Sequence, residues 1–231
     1  MSRPIRIGIL DSGVNAAHPH VGGLAGGVGI TPQGPVSDYV DRLGHGTAVA
    51  ALIHHLNPAA ELMAVKVFEG KLATTLPIIL RAIDWCLEQR VDVINLSLGT
   101  VNPAHRAAFA GAVEKSCRAG AVIVSALEMD GVPALPGALD GVIGVLPAEP
   151  GDAGYQCCAR YQKVAYTAPP YPRDISGVPR ERNLRGVSFA VARISALVAR
   201  ARARHHDGYS WHDQMNRLID QELPSGCVAA T

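Results

Sequence analysis

The sequence predicts an α/β domain in which a mostly parallel sheet lies between layers of helices. Two observations carry that expectation. Short apolar runs of strand length alternate along the chain with longer stretches of helical spacing, the order that a parallel sheet with crossover helices requires. The first of those runs delivers an acid to a turn, Asp11-Ser12-Gly13, and the ends of strands are where such sheets place their chemistry. With 231 residues, 48% hydrophobic and 18% charged, the chain is large enough for a core without disulfide or metal staples.

Arg6–Leu10 is apolar and stops at the Asp11 turn, so it opens the sheet. Residues 14–44, dense in glycine and proline, are expected as loop. His45–Leu56 follows as an Ala-rich helix closed by Asn57-Pro58, because proline cannot continue it. Glu61–Phe68 is the next strand. Leu76, Ile79, Leu80, Ile83 and Leu87 recur at helical spacing within Leu72–Arg90, with Thr75 the expected N-cap and Pro77 tolerated in the first turn. Val91–Leu98 is expected as a strand, Pro103–Ala119 as a helix stopped by Gly120, and Ala121–Ala126 as another strand. Val142–Leu146 extends the sheet, residues 147–160 are expected as loop, and Lys163–Thr167 as a short strand. Ser188 to about His205 is an Ala- and Val-rich helix, and Trp211–Glu222 an amphipathic one. No repeat or compositional break divides the chain. One domain over residues 1–222 is expected, with a short flexible tail over 223–231.

The formal charge of +1 argues against a surface built for nucleic acid or anionic membrane, and no apolar run approaches the ~20 residues that span a bilayer. The opening MSRPIRIGIL has too short an apolar stretch for a signal-peptide core, so a cytoplasmic chain is expected. Five cysteines without ligand-like pairing read as reduced thiols, Cys157-Cys158 being the pair to watch for redox chemistry. His18, His20, His54, His55, His205 and His206 follow no metal-ligand spacing, and neither a metal nor another cofactor is expected.

Three places combine a reactive side chain with the end of an element: Asp11 after the first strand, His45 opening a helix, and Ser188 opening another. An acid, an imidazole and a hydroxyl are the set that nucleophilic acyl transfer uses. The imidazole takes the hydroxyl proton, the carboxylate holds the ring in one tautomer, and an ester intermediate divides the reaction into two easier steps. A serine at a helix start gains further help, since unpaired N–H groups and the positive end of the helix dipole favour an oxyanion. Singly, each residue has a plainer reading as a turn former or cap.

Together with their neighbours these residues resemble the subtilisin-like serine peptidases over Ile5 to about Leu218. The blocks are Ile9-Leu10-Asp11-Ser12-Gly13 with His18-Pro19 following, Gly44-His45-Gly46-Thr47, Ala64-Val65-Lys66-Val67, Asp92 to Gly99, and Gly186-Val187-Ser188-Phe189-Ala190, in the family's order. The resemblance implies the subtilisin-like three-layer fold, with Ser188 as nucleophile, His45 as general base and Asp11 as its orienter. It implies further that Ser97, Leu98 and Gly99 pair with an extended peptide, whose alternate side chains pockets then read. Ala126, Leu127 and Glu128 are implied as a second wall of the substrate cleft.

The sequence also departs from the family. Alignment through Leu135-Pro136-Gly137 puts Met129 where the family has an asparagine that donates to the oxyanion, and a thioether cannot donate. The donors that remain are the Ser188 N–H and, as a candidate second one, Asn183 of the preceding loop. Glu128 stands where the family usually has glycine, so it either favours a basic substrate side chain or points to solvent. Residues 159–205 hold ten Lys/Arg and two Asp/Glu, and Arg180, Arg182 and Arg185 precede Ser188; these charges either steer an acidic peptide or protein substrate to the cleft or are solvated surface. The expected activity is slow, narrowly specific processing of a peptide or precursor in the cytosol. The alternative is an impaired relative that only binds such a partner. An α/β-hydrolase esterase is disfavoured because Ala190 stands where its nucleophile motif needs a second glycine, and a dinucleotide enzyme because no G-x-G-x-x-G follows the first strand.

Overall fold

The computed structural model describes residues 3–149, 154–179 and 182–204. A nine-stranded, mostly parallel sheet forms the middle layer. Its centre is β1 (Arg6–Asp11), flanked by β4 (Glu61–Lys66) on one side and β5 (Val93–Leu96) on the other, all parallel. Beyond β5 lie β6 (Val122–Ala126), β9 (Val142–Pro147), β11 (Lys163–Ala168) and the antiparallel edge strand β10 (Gln156–Arg160). Beyond β4 lie β2 (Gly26–Thr31) and its hairpin partner β3 (Gly34–Val36). A separate two-stranded ribbon pairs β7 (Glu128–Met129) with β8 (Val132–Pro133).

Helices cover both faces. On one face lie α1 (His45–Leu56) and α4 (Val187–Ala203), on the other α2 (Leu76–Glu88) and α3 (Arg106–Arg118), the last entered through a 3₁₀ turn at Pro103–His105. Each face has its own apolar core. Val49, Leu52 and Ile53 of α1 meet Phe189, Ile194 and Leu197 of α4 over the sheet, while Ile79 and Ile83 of α2 join Phe109 and Val113 of α3. Helix α4 is buried along most of its length, and its many alanines let it lie close to the strands it crosses. Burial of Phe189 and Leu197, each 1% exposed, contributes about 1.5–3 kcal/mol apiece. Among the described residues no helix is long and apolar enough to cross a membrane.

The predicted layering is the observed one. Three strand pairs differ from expectation, the β7–β8 ribbon among them. Residues 14–44 contain the β2–β3 hairpin, hidden in the sequence because β2 is half glycine. Those glycines answer to packing: a Cβ on Gly27 would stand 2.7 Å from the Tyr39 ring, and one on Gly29 2.3 Å from the Asp38 carbonyl. Residues 156–160 form β10, a partly exposed edge strand paired with β11. Helix α2 begins at Leu76, directly after the expected N-cap Thr75, although the Thr75 side chain makes no cap bond. Trp211–Glu222, the 223–231 tail, His205, His206 and Arg180 lie outside the described residues.

The segment after β6 is held by an unusual cation. Lys163 Nζ, at the start of β11, donates to the carbonyls of Gly137, Leu139 and Val142 at 3.0, 2.7 and 2.9 Å. Burial pushes its pKa down, opposed by the charge of Asp140. An ammonium has three N–H donors, and here all are spent on backbone that leads from the cleft wall into β9.

Candidate active site

Strand β1 carries Asp11 at its last residue and α1 carries His45 at its first, so the acid and the imidazole are brought together by the ends of two elements. Their Nδ1–Oδ1 separation is 2.7 Å. A carboxylate only accepts, so Nδ1 carries the proton, and in the neutral ring Nε2 is the free base. Asp11 Oδ1 also accepts the Ser12 N–H at 2.7 Å, while Oδ2 is buried with no hydrogen-bond partner among the described residues. Such a half-satisfied buried carboxylate favours a positive charge on the ring beside it.

Gly46 permits this approach. A Cβ there would stand 2.1 Å from the Gly13 carbonyl, so only a residue without one lets the helix start press against the β1 turn. The first N–H groups of α1 are satisfied from the same turn: Gly46 N–H donates to Ser12 Oγ at 3.0 Å, and Thr47 N–H to Asp41 Oδ2 at 2.9 Å. Asp41 also accepts from the Ser12 and Thr47 hydroxyls at 2.8 and 2.6 Å and from the Leu43 and Gly44 N–H groups at 2.8 and 2.9 Å. Burial pushes the Asp41 carboxyl up, but the Thr47, Leu43 and Gly44 bonds outweigh it and hold the pKa below the usual value. Sequence reasoning passed over Asp41, although an acid placed just before a helix start is a capping signal.

Burial likewise pushes the His45 pKa down, yet the Asp11 hydrogen bond and the charges of Asp11 and Asp41 prevail, leaving it above its ordinary value. A ring poised in this way accepts a proton readily near neutral pH.

Ser188 is the second residue of α4, and its neighbour Phe189 packs against His45 with ring centroids 5.6 Å apart. The structure thus brings Asp11 and His45 together and sets His45 against the residue that follows Ser188. The Ser188 hydroxyl is turned to the Ser97 carbonyl, 3.4 Å away. The intrahelical bonds begin one residue later, where Phe189 N–H meets the Gly186 carbonyl at 3.1 Å. Helix geometry therefore leaves the Ser188 N–H pointing out of the helix start.

Ser97–Gly99 continues from β5 and is tied to α4 by a buried relay. Asn95, 0% exposed, donates to Ser97 Oγ at 3.0 Å and accepts from Ser195 Oγ of α4 at 3.0 Å. This relay was not foreseen, since Asn95 in sequence looks like an ordinary strand residue. Beside Leu98 and Gly99 opens a cavity of about 270 Å³ walled by Phe68, Leu76, Ile79 and Phe109.

The other wall differs from expectation in detail. Ala126 and Leu127 are buried, and Leu127 spends its N–H on Val145 and its carbonyl on Ala134, both at 2.9 Å. Glu128 points neither at solvent nor at an open pocket: its Oε2 lies 3.1 Å from Arg160 Nη2 and 2.8 Å from the Tyr161 hydroxyl. Arg160 itself stacks over Tyr161, 5.0 Å from the ring centroid, so the acid is neutralised from the β10–β11 turn. Met129 is 42% exposed, and its sulfur would lie 3.8 Å from a Cβ on Gly99. Asn183 is tied into its own loop: its amide donates to the Arg173 carbonyl at 3.0 Å and its oxygen accepts the Leu184 N–H at 2.8 Å. Among the described residues no group of three or more His, Cys, Asp or Glu side chains converges as a metal site.

A mostly parallel sheet between helix layers, with an acid at a strand end, an imidazole at one helix start and a serine at another, is consistent with the subtilisin fold. The chain matches the subtilase family over residues 2–128, more than half its length, and it belongs to that family. It is 32% identical over 136 residues to subtilisin E of Bacillus subtilis, covering 55% of this chain and 35% of that protein. It is 27% identical over 228 residues to the thermostable alkaline protease of Halalkalibacterium halodurans, covering 94% of this chain and 61% of the relative. A third relative, the minor extracellular protease Epr of Bacillus subtilis, is 34% identical over 137 residues, covering 55% of this chain and 20% of its own length. The chain thus spans about a third of the subtilisins' length.

Proposed function

We propose that the chain is a serine endopeptidase in which Ser188 attacks, His45 moves the proton and Asp11 orients and charges the pair. The observation that carries this reading is the 2.7 Å Asp11–His45 bond beside a serine at the start of α4. A peptide laid along Ser97–Gly99 gives the N–H of the attacked residue to the Ser97 carbonyl, which the Ser188 hydroxyl now faces. The hydroxyl then turns to His45 Nε2, loses its proton there and forms the acyl bond, and His45 returns the proton to the leaving amine. Water, deprotonated by the same nitrogen, cleaves the ester.

The oxyanion is met by the Ser188 N–H and the dipole of α4. Met129 adds no donor and Asn183 is engaged elsewhere, which supports slow turnover. The basic composition around Ser188 and the apolar cavity beside Leu98 together favour a narrow set of substrates, acidic segments that also carry an apolar residue on the acyl side. Maturation of a peptide or precursor in the cytoplasm fits this profile. The absence of a donor at Met129 also favours a second reading, a relative that holds such a peptide without cutting it.

Incubation with an unbiased peptide library, cuts being mapped by mass spectrometry, separates the two. Endopeptidase action predicts a recurring cleavage pattern absent from Ser188→Ala, whereas identical profiles for both proteins refute it.

The pH dependence follows from His45. The base works unprotonated, so kcat/KM rises as pH passes upward through its pKa, and a pKa raised above 6.5 places the half-maximum above pH 6.5. Replacing Asp41 by Asn removes one of the charges that raise it and is expected to move that limb downward. A limb at or below pH 6.5 in the unaltered protein contradicts the assignment.

A further inference from the structure

A second cavity, of about 490 Å³, opens beside the start of α1. Gly44, Thr47, Ala48 and Ala51 of α1 form one wall, and the loop after β1 supplies Asn15, His18 and His20. Pro172, Arg173, Ile175, Asn183 and Leu184 close it. The cavity is therefore bounded by the immediate neighbours of His45 and by the segment that leads into Ser188. Because His45 must hand its proton to the departing amine, the residues of a substrate that pass this helix belong to the leaving side of the cut. This placement rests on the reading of Ser188 and His45 given above.

The chemistry of the cavity is specific. Its walls are apolar at Ala48, Ala51, Ile175 and Leu184, while Arg173 supplies a guanidinium that has no ion-pair partner among the described residues. His18 and His20 stand edge to face, 5.2 Å apart, and His18 Nδ1 accepts the His20 N–H at 3.3 Å, which leaves its proton on Nε2 as a donor. Arg173 lies close enough that its charge is the largest influence on His20, lowering that group's pKa. The one acid in the lining, Asp41, has its carboxylate occupied by five donors from Ser12, Leu43, Gly44 and Thr47. An apolar stem ending in a carboxylate matches this arrangement, and a neutral amide of the same shape does not.

We propose that this cavity is a leaving-side subsite that takes a substrate carboxylate, with Arg173 as its cationic partner and His18 and His20 as its polar rim. The carboxylate comes either from an acidic side chain just after the cut or from a free C-terminus there.

Dipeptides resembling the leaving fragment test this without knowledge of the natural substrate. Binding of Ala-Glu-amide, Ala-Gln-amide, and Ala-Ala as free acid and as amide is measured by NMR titration on Ser188→Ala, alone and combined with Arg173→Met. The carboxylate form is expected to bind about tenfold more tightly than its amide twin, and Arg173→Met to abolish that ratio. The Arg173 contact with Asn183 uses the backbone carbonyl, so the substitution leaves the loop bond intact. Preference for Ala-Glu-amide identifies a side-chain carboxylate, and preference for the free acid a C-terminus. Equal binding of acid and amide, a ratio unchanged in Arg173→Met, or no binding up to about 10 mM overturns the proposal. Because these proteins cannot cut, the result stands apart from whether the chain is a peptidase. The same dipeptides, added as competing nucleophiles during ester turnover by the intact protein, report that separately.

Discussion

Replacing Asp11 by Asn is expected to lower kcat about 10⁴-fold, with KM and the far-UV circular dichroism little changed. The reason is local and twofold. Asn preserves the shape of a side chain that is 0% exposed, so the β1 turn keeps its packing. Its amide can donate to Nδ1, however, and that places the ring proton on Nε2, the atom that must be free to accept from Ser188. The charge that favours the imidazolium disappears with the carboxylate, and because Oδ2 has no other partner among the described residues, little else holds that charge in place. The acid limb of the pH profile should fall with it, since the Asp11 bond and charge are what raise the His45 pKa against burial. A loss of less than about tenfold in kcat would show that the pair does not work as a unit.

Lys163→Met should lower stability by about 2–3 kcal/mol, and the melting temperature by about 5–10 °C, without touching the site. The methionine stem fills much of the same volume, but the carbonyls of Gly137, Leu139 and Val142 lose their shared donor. The desolvation cost of the ammonium, visible in its lowered pKa, is recovered on substitution and keeps the net loss below the sum of three broken bonds. The linkage has a sign. A group whose folded pKa is depressed and whose charged form is the cation binds fewer protons folded than unfolded, so this part of stability rises with pH in the alkaline range. Thermal melts of the two proteins at neutral pH check the main claim, and equal melting temperatures contradict it.

Much of this was legible in the sequence because the decisive signals are local. Helix α1 could be bounded at both ends by His45 after a glycine and by Asn57-Pro58, and the structure gives His45–Leu56. The parallel central strands announce themselves as short apolar runs because both their faces are buried. The hairpin β2–β3 did not, since its glycines are dictated by Tyr39 and Asp38, residues whose approach no local pattern reveals. Nor did β10, which sits at an edge and carries no apolar alternation.

The site divides along the same line. Asp11, His45 and Ser188 sit at element ends and could be read there. Asp41, Asn95 and Lys163 act through partners distant in the fold or through backbone groups, and side-chain identity alone does not show what they hold. Glu128 is the instructive case: its neutralisation depends on Arg160 and Tyr161, 32 and 33 residues away, at the turn of a hairpin whose first strand, β10, falls in a stretch expected as loop.

The central claim is that His45, oriented by Asp11, makes the Ser188 oxygen a nucleophile. Labelling with a fluorophosphonate, located by peptide mass spectrometry, tests it most directly because the reagent reads the nucleophile without needing a substrate. The account predicts a single adduct on Ser188, formed quickly by the intact protein and suppressed in His45→Ala. An unlabelled intact protein, an adduct on another residue, or equal labelling with and without His45 would contradict it.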